Sequence, residues 1–181
     1  MTVNDPFQQR MQVLNESSEL KVLRSANSEE PLHDQQIQQY IVYTDFHHDQ
    51  RMAKTNSIFV YTPWMNTDSQ GRPRTDFQNQ LLFDYDGWQK QIHIAVLETL
   101  GAASKLAFFD YQNHGLAKLS LQSLIKLAQR LSVKTIDASL SSFDGGDDGQ
   151  RVIKLFEECG FTANNQDLTK GIATFVYQLE D

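Results

Sequence analysis

Phe108-Phe109-Asp110-Tyr111-Gln112-Asn113-His114-Gly115-Leu116-Ala117 is the stretch whose reading decides the fold. A short apolar segment ends at Asp110, and a polar turn carrying the small residues Gly115 and Ala117 follows. Behind it Ala117, Leu121, Leu124, Ile125, Ala128 and Leu131 recur at helical spacing, with Lys118, Gln122, Lys126 and Arg130 outward, so a helix runs to about Leu131. A strand, a small-residue turn and a helix in that order aim free backbone N–H groups and the positive end of the helix dipole at an anion. Gln112 to Ala117 therefore read as a candidate diphosphate cradle. Small residues at 115 and 117 permit close backbone approach, and Lys118 adds charge.

Downstream of the helix, Lys134 to Leu140 reads as a strand, Ser141 to Asp148 as a Gly- and Asp-rich loop, and Gly149 to Cys159 as a second amphipathic helix. Gly160 is placed to end that helix in the left-handed conformation, with Phe161 folding back onto it. Gly171 to Leu179 alternates as a final strand. Upstream, Leu20 to Ser25 alternates as a first strand. Ser28-Glu29-Glu30-Pro31 is a helix-start signal, and with Ile37, Tyr40 and Ile41 at helical spacing it predicts a helix through about Tyr43. Ile58 to Tyr61 and Leu81 to Tyr85 read as strands, separated by a polar stretch with a turn at Asp68 to Gly71. Trp88 to Leu100 fits two patterns: Trp88, Ile92, Ala95 and Val96 share one helix face, while Ile92, Ile94 and Val96 alternate as in a strand. The strand reading, Gln91 to Glu98 turned by Gly101 with Lys105 to Asp110 returning antiparallel, is the expectation. Residues 1 to 19 read as a polar arm or a short surface helix, and 20 to 181 as a single domain.

Composition narrows the function. A net charge of −7 and a pI near 5.1 argue against general nucleic-acid binding, which neutralises phosphates with Lys and Arg. The one cysteine, Cys159, allows no internal disulfide and no thiolate metal cluster; it reads as a small core hydrophobe. His47-His48-Asp49 lacks a third metal ligand by spacing, so no metal is expected. No apolar run approaches the roughly 20 residues that span a bilayer, and Met1 to Glu19 lacks the apolar core of a signal peptide. A cytoplasmic protein without a membrane partner is the expectation.

The order strand, Gln-x-x-Gly-x-Ala turn, helix, strand, loop, helix, Gly-Phe, strand resembles the GNAT superfamily of acyl-CoA-dependent N-acyltransferases. The family's phosphate loop has the pattern Arg/Gln-x-x-Gly-x-Gly/Ala, which Gln112-Asn113-His114-Gly115-Leu116-Ala117 fits. Asp110-Tyr111 resembles the usual lead-in, and Glu157-Glu158-Cys159-Gly160-Phe161 resembles the family's later helix end. The likeness covers about residues 103 to 161. It implies an α/β fold with a mixed, mostly antiparallel sheet flanked by helices, splayed beside the cofactor.

The resemblance further implies acetyl-CoA as co-substrate, held by Gln112 to Lys118, and direct attack by an amine of a small molecule or peptide. The thioester carbonyl would be polarised by a backbone N–H near Phe108 or Phe109. A homodimer is compatible with it. Amine transfer needs a deprotonated amine and a protonated leaving thiolate. Glu98 is the leading base candidate, with His93 and Asp110 behind it. The family's usual proton donor, a tyrosine, falls here at Phe156, and its common asparagine at Gly149. Tyr111 and Tyr177 are the remaining acids. The rival expectation is a non-catalytic acyl-CoA-binding or interaction module on the same fold.

Overall fold

The computed structural model describes residues 5–47, 55–102, 104–105, 109–139, 149–167, 170 and 172–180. In chain order the elements are α1 (Pro6–Glu16), β1 (Lys21–His33), β2 (Gln36–Thr44), β3 (Thr55–Tyr61), β4 (Asn79–Asp86), β5 (Gln91–Thr99), α2 (Leu116–Arg130), β6 (Thr135–Ser139), α3 (Gly149–Glu158), β7 (Thr162–Asp167) and β8 (Ile172–Gln178). The strands form one sheet in the order β1-β2-β3-β4-β5-β6-β8-β7. Every pairing is antiparallel except β5 with β6. A parallel pair cannot be closed by a tight turn, and α2 supplies the crossover. This is the mixed, mostly antiparallel α/β sheet that the sequence led us to expect.

One face of the sheet carries the main core. Ile58, Leu81 and Leu97 stand in one cross-strand row, and Phe83, Ile94, Ala138 and Phe175 in the next. All seven are buried, and α2 and α3 cover them. From α2, Leu121, Leu124 and Ala128 are fully buried. Each leucine so removed from water contributes about 1.5–3 kcal/mol before entropy is counted. On the opposite face α1 lays Phe7 and Leu14 over Ile41, Tyr43 and Tyr61. Part of the polar N-terminal arm is therefore a helix seated on the sheet, opened by Asp5, whose carboxylate accepts the Phe7 N–H at 3.0 Å.

The helix expected over residues 28 to 43 is a strand hairpin. Tyr40-Ile41-Val42-Tyr43 is buried on both sides: Tyr40 and Val42 face the main core, Ile41 and Tyr43 face α1. Burial on two faces erases the alternation that marks a half-buried strand, and Ile37, Tyr40 and Ile41 then mimic helical spacing. Asp34 and Gln35, with φ of 48° and 67°, make the two-residue turn. Pro31 is tolerated because β1 is an edge strand with shifted register between Asn27 and Leu32.

Of the strand expected from Lys105 to Asp110, the described residues 105, 109 and 110 lie in no strand and residues 106–108 lie outside the described residues; the described strand preceding the cradle is β5. Within β5, Leu82 pairs with Val96 and Phe83 with Ile94, leaving Ala95 as an extra residue. The bulge switches sides, so Leu97 rather than Val96 joins Ile92 and Ile94 in the core. β7, Thr162-Ala163-Asn164-Asn165-Gln166-Asp167, was not foreseen, because an exposed edge strand without apolar alternation carries no such signal. The expected loop at residues 141 to 148 lies outside the described residues.

Candidate functional site

Pairing between β5 and β6 ends at Ile94 with Ala138, while β5 continues to Thr99. Past that point the β6-facing edge of β5 has no strand partner among the described residues. A cleft of about 580 Å³ opens there. Its walls come from four places: Leu97, Glu98 and Thr99 at the end of β5; Tyr111, Gln112, Asn113 and Gly115 in the loop; Leu116, Ala117 and Lys118 in the first turn of α2; and Arg151, Val152, Lys154, Leu155 and Glu158 along α3. Gln36, at the start of β2, completes the lining.

The loop is held from behind. The Tyr111 N–H donates to Leu100 O at 2.9 Å, and the Tyr111 hydroxyl donates to Trp64 O at 2.7 Å. The Gln112 N–H donates to the Asp110 carboxylate at 3.0 Å. His114 is tied to the β1–β2 hairpin twice: its carbonyl accepts the Ile37 N–H at 3.0 Å, and its Nδ1–H donates to Gln35 O at 2.6 Å. Phe109 packs edge-on against Tyr111 and tilts over the His114 ring, both at 5.1 Å between centroids.

Gly115 then starts α2 from the left-handed region, at φ +88°, and no side chain caps the helix. The Leu119 N–H is the donor that Gly115 O accepts, at 3.2 Å. The N–H groups of Leu116, Ala117 and Lys118 belong to the first turn, where an α-helix has no internal acceptors to offer. An uncapped first turn with a left-handed glycine is a cradle that a larger residue would fill: a Cβ on Gly115 would lie 2.3 Å from Gln36 Oε1. The residues present therefore fit an anionic group such as a diphosphate.

Of the residues singled out from the sequence, the cleft gathers Glu98, Gln112, Asn113, Gly115, Leu116, Ala117 and Lys118. His114 and Phe109 stand behind the loop instead of lining it. Phe108 lies outside the described residues. The described strand before the turn is β5, whose edge after Ala95 has no strand partner among the described residues.

His93 is not part of the cleft lining. Its Nδ1–H donates to Asp137 Oδ1 at 2.6 Å, and the other oxygen accepts from the Gln91 amide at 2.9 Å. Asp110 is committed to the Gln112 N–H. Burial holds the Tyr111 hydroxyl well above the ordinary tyrosine value, pushing it up to about 12. Tyr177 packs on Phe161, away from the cleft lining. Burial also pushes the Cys159 thiol up to about 11, which leaves it an inert thiol at neutral pH. Phe156 is wholly buried, stacked on Phe175 at 4.3 Å.

Sequence reasoning missed Gln36 and the α3 charges. Lys118 Nζ and Lys154 Nζ each lie 3.9 Å from a Glu158 carboxylate oxygen, so one carboxylate sits between two cations at the cleft wall. Among the described residues no group of His, Cys, Asp and Glu is arranged to hold a metal ion, and no helix is long and apolar enough to cross a membrane.

No family model matches the chain, and no curated protein does. Solved structures do share its fold in part. The PaiA N-acetyltransferase of Thermoplasma acidophilum, solved with coenzyme A, aligns at 6% identity and a TM-score of 0.46 over 69% of this chain and 61% of that one. The alignment thus spans less than two thirds of the archaeal protein. The NatC complex bound to Gag peptide and CoA contains a chain aligning at 17% identity and a TM-score of 0.47, over 68% and 71% of the two chains. A Bacillus subtilis acetyltransferase in complex with CoA aligns at 14% identity and a TM-score of 0.41, over 78% of each. These are partial likenesses of chain course.

Proposed function

We propose that this chain is a divergent acetyltransferase of the GNAT type, which binds acetyl-CoA in the β5–α2–α3 cleft and passes the acetyl group to an amine by direct attack. The observation that carries the reading is the uncapped start of α2 at Gly115, opening onto the space where β5 parts from β6. The Asn113 to Lys118 backbone would receive the diphosphate, with the helix dipole and the Lys118 ammonium adding favourable charge. The edge of β5 after Ala95, unpaired among the described residues, would offer N–H donors to an extended chain and to a thioester carbonyl. Glu98, exposed at the end of β5 and on the cleft wall, is the base that would draw the amine proton, directly or through water. The thioester supplies the activated acetyl group.

Calorimetric titration with acetyl-CoA tests the reading. Saturable binding by the wild-type chain is expected, and its loss in an Ala117→Val variant that keeps its thermal midpoint. Absence of binding at millimolar ligand would overturn it. For Glu98→Gln, kcat is expected to fall roughly a hundredfold or more, in the range of general-base catalysis, with little change in acetyl-CoA affinity.

A second reading, an acyl-CoA-binding module without chemistry, is favoured by the acids at the cleft. Phe156 has no proton to give and lies in the core, and the Tyr111 hydroxyl is spent on Trp64 O. Thermal stabilisation by acetyl-CoA without thiol release across a broad amine panel would select this reading. Thiol release with a physiological amine would exclude it.

A further inference from the structure

We propose that Gln36 is a ligand-contacting residue: its carboxamide meets the diphosphate of bound acyl-CoA from the side of the cradle facing the β1–β2 hairpin. The inference rests on the acyl-CoA reading of the cleft and adds to it a donor from an element that the Gln-x-x-Gly-x-Ala loop pattern does not contain.

Three observations place it. First, the hairpin is brought to the loop by defined bonds. Asp34 and Gln35 both adopt positive φ, which turns the chain so that Gln35 O takes the His114 Nδ1–H and the next-but-one N–H, that of Ile37, reaches His114 O. Gln36 lies between these two anchors, so its backbone position relative to His114-Gly115 is set from both sides. Second, its side chain turns into the cleft, and Oε1 lies where a Cβ on residue 115 would intrude. The missing side chain of Gly115 thus makes room for this amide. Third, no described group accepts from or donates to the Gln36 amide, and the residue is exposed, so the amide is free to rotate.

The chemistry suits the place. A carboxamide carries two donors on Nε2, and rotation about its last torsion exchanges Nε2 with Oε1. A neutral donor adds a hydrogen bond to a phosphoryl oxygen without the desolvation that an ion incurs. It also acts where the nearby ammonium groups of Lys118 and Lys154 are each partly answered by Glu158.

The test is calorimetric titration of CoA into the wild-type chain, Gln36→Ala and Gln36→Glu, at low and at high salt. Loss of one hydrogen bond to a charged group should weaken binding in Gln36→Ala roughly three- to thirtyfold at either salt. The near-isosteric Gln36→Glu puts a carboxylate against the phosphates. Its loss should exceed that of Gln36→Ala at low salt and shrink towards it as salt screens the repulsion. Thermal midpoints should stay within a degree or two of wild type, because the residue is exposed. Wild-type affinity for CoA in both variants would overturn the role of Gln36 while leaving the acyl-CoA reading intact. Failure of the wild-type chain itself to bind CoA would instead remove the reading on which the proposal rests.

Discussion

At residue 156 the resembled family has a tyrosine, and the surroundings here exclude a hydroxyl. Phe156 is stacked on Phe175 at an interplanar angle of 16° and meets the edge of Phe161 at 4.9 Å. A phenol oxygen in that aromatic nest without a partner would cost about 1–3 kcal/mol. Truncation to alanine removes the centre of the nest, and Phe156→Ala should destabilise the chain by about 3–5 kcal/mol in urea unfolding. A loss below about 1 kcal/mol would show that the ring is not packed as described. Gly160 serves the same cluster. At φ +98° it turns the chain so that the Phe161 N–H reaches Phe156 O at 3.0 Å, and a Cβ there would lie 2.9 Å from the Tyr177 ring. Glu157 to Phe161 was legible because a left-handed glycine and an apolar residue after it form a local signal. Gln36 was not: its importance comes from residue 114, far away in the chain, and nothing in its own neighbourhood announces that contact.

Between elements, the wall formed by α2 and α3 is where charge decides. Legibility divides along the same line. β4, β5, α2, β6, α3 and β8 were readable because each has one buried face and hence a period; β3, buried on both faces, was readable as a short apolar β-rich run ending before Pro63. The β1–β2 hairpin was not, since burial on both sides of β2 and a turn lacking Asn-Gly or Asp-Gly hid it. The cradle loop was legible from its glycine and its helix. The contribution of α3 to the site was not, because which of its charged residues meet the cleft depends on how the helix is seated. Glu158 is the consequential one, with Lys118 of α2 and Lys154 of its own helix at 3.9 Å. All three side chains are substantially exposed, so the pairs add little to stability. Their field on an anion is another matter. Glu158→Gln removes the negative charge and leaves both ammonium groups to the ligand, so CoA should bind roughly two- to fivefold tighter at low ionic strength, with the gain fading in high salt. Calorimetry at two salt concentrations checks it, and weaker binding by the variant would mean that Glu158 holds the lysines in place for the ligand.

The whole molecule hides ionisable groups on both sides of its sheet, and that gives its stability a direction in pH. Tyr61 lies under α1 on one face with its hydroxyl pushed up to about 12 by burial; Tyr111 floors the cleft on the other, also raised to about 12. Cys159, at the end of α3, is raised from 9.0 to about 11. In every case the largest cause is the same: burial disfavours the charged form, so the native state keeps protons that the unfolded chain releases. Below about pH 8 both states are almost wholly protonated at these sites and stability does not change through them. Between about pH 8 and 11 the unfolded thiol, then the unfolded phenols, lose protons while the native groups largely hold theirs. The unfolded chain then binds fewer protons, and the free energy of unfolding falls as pH rises. Urea midpoints measured at pH 8, 9, 10 and 11 should therefore decline, beginning near the thiol's ordinary value and steepening as the tyrosines join. Cys159→Ser should lack the first part of the decline and keep the second, because the tyrosines sit elsewhere on the sheet and titrate later. Midpoints that stay level from pH 8 to 11 would mean these hydroxyls and the thiol reach water in the folded chain, which would contradict the packing of α1 against Tyr61 and of the cradle loop against Tyr111.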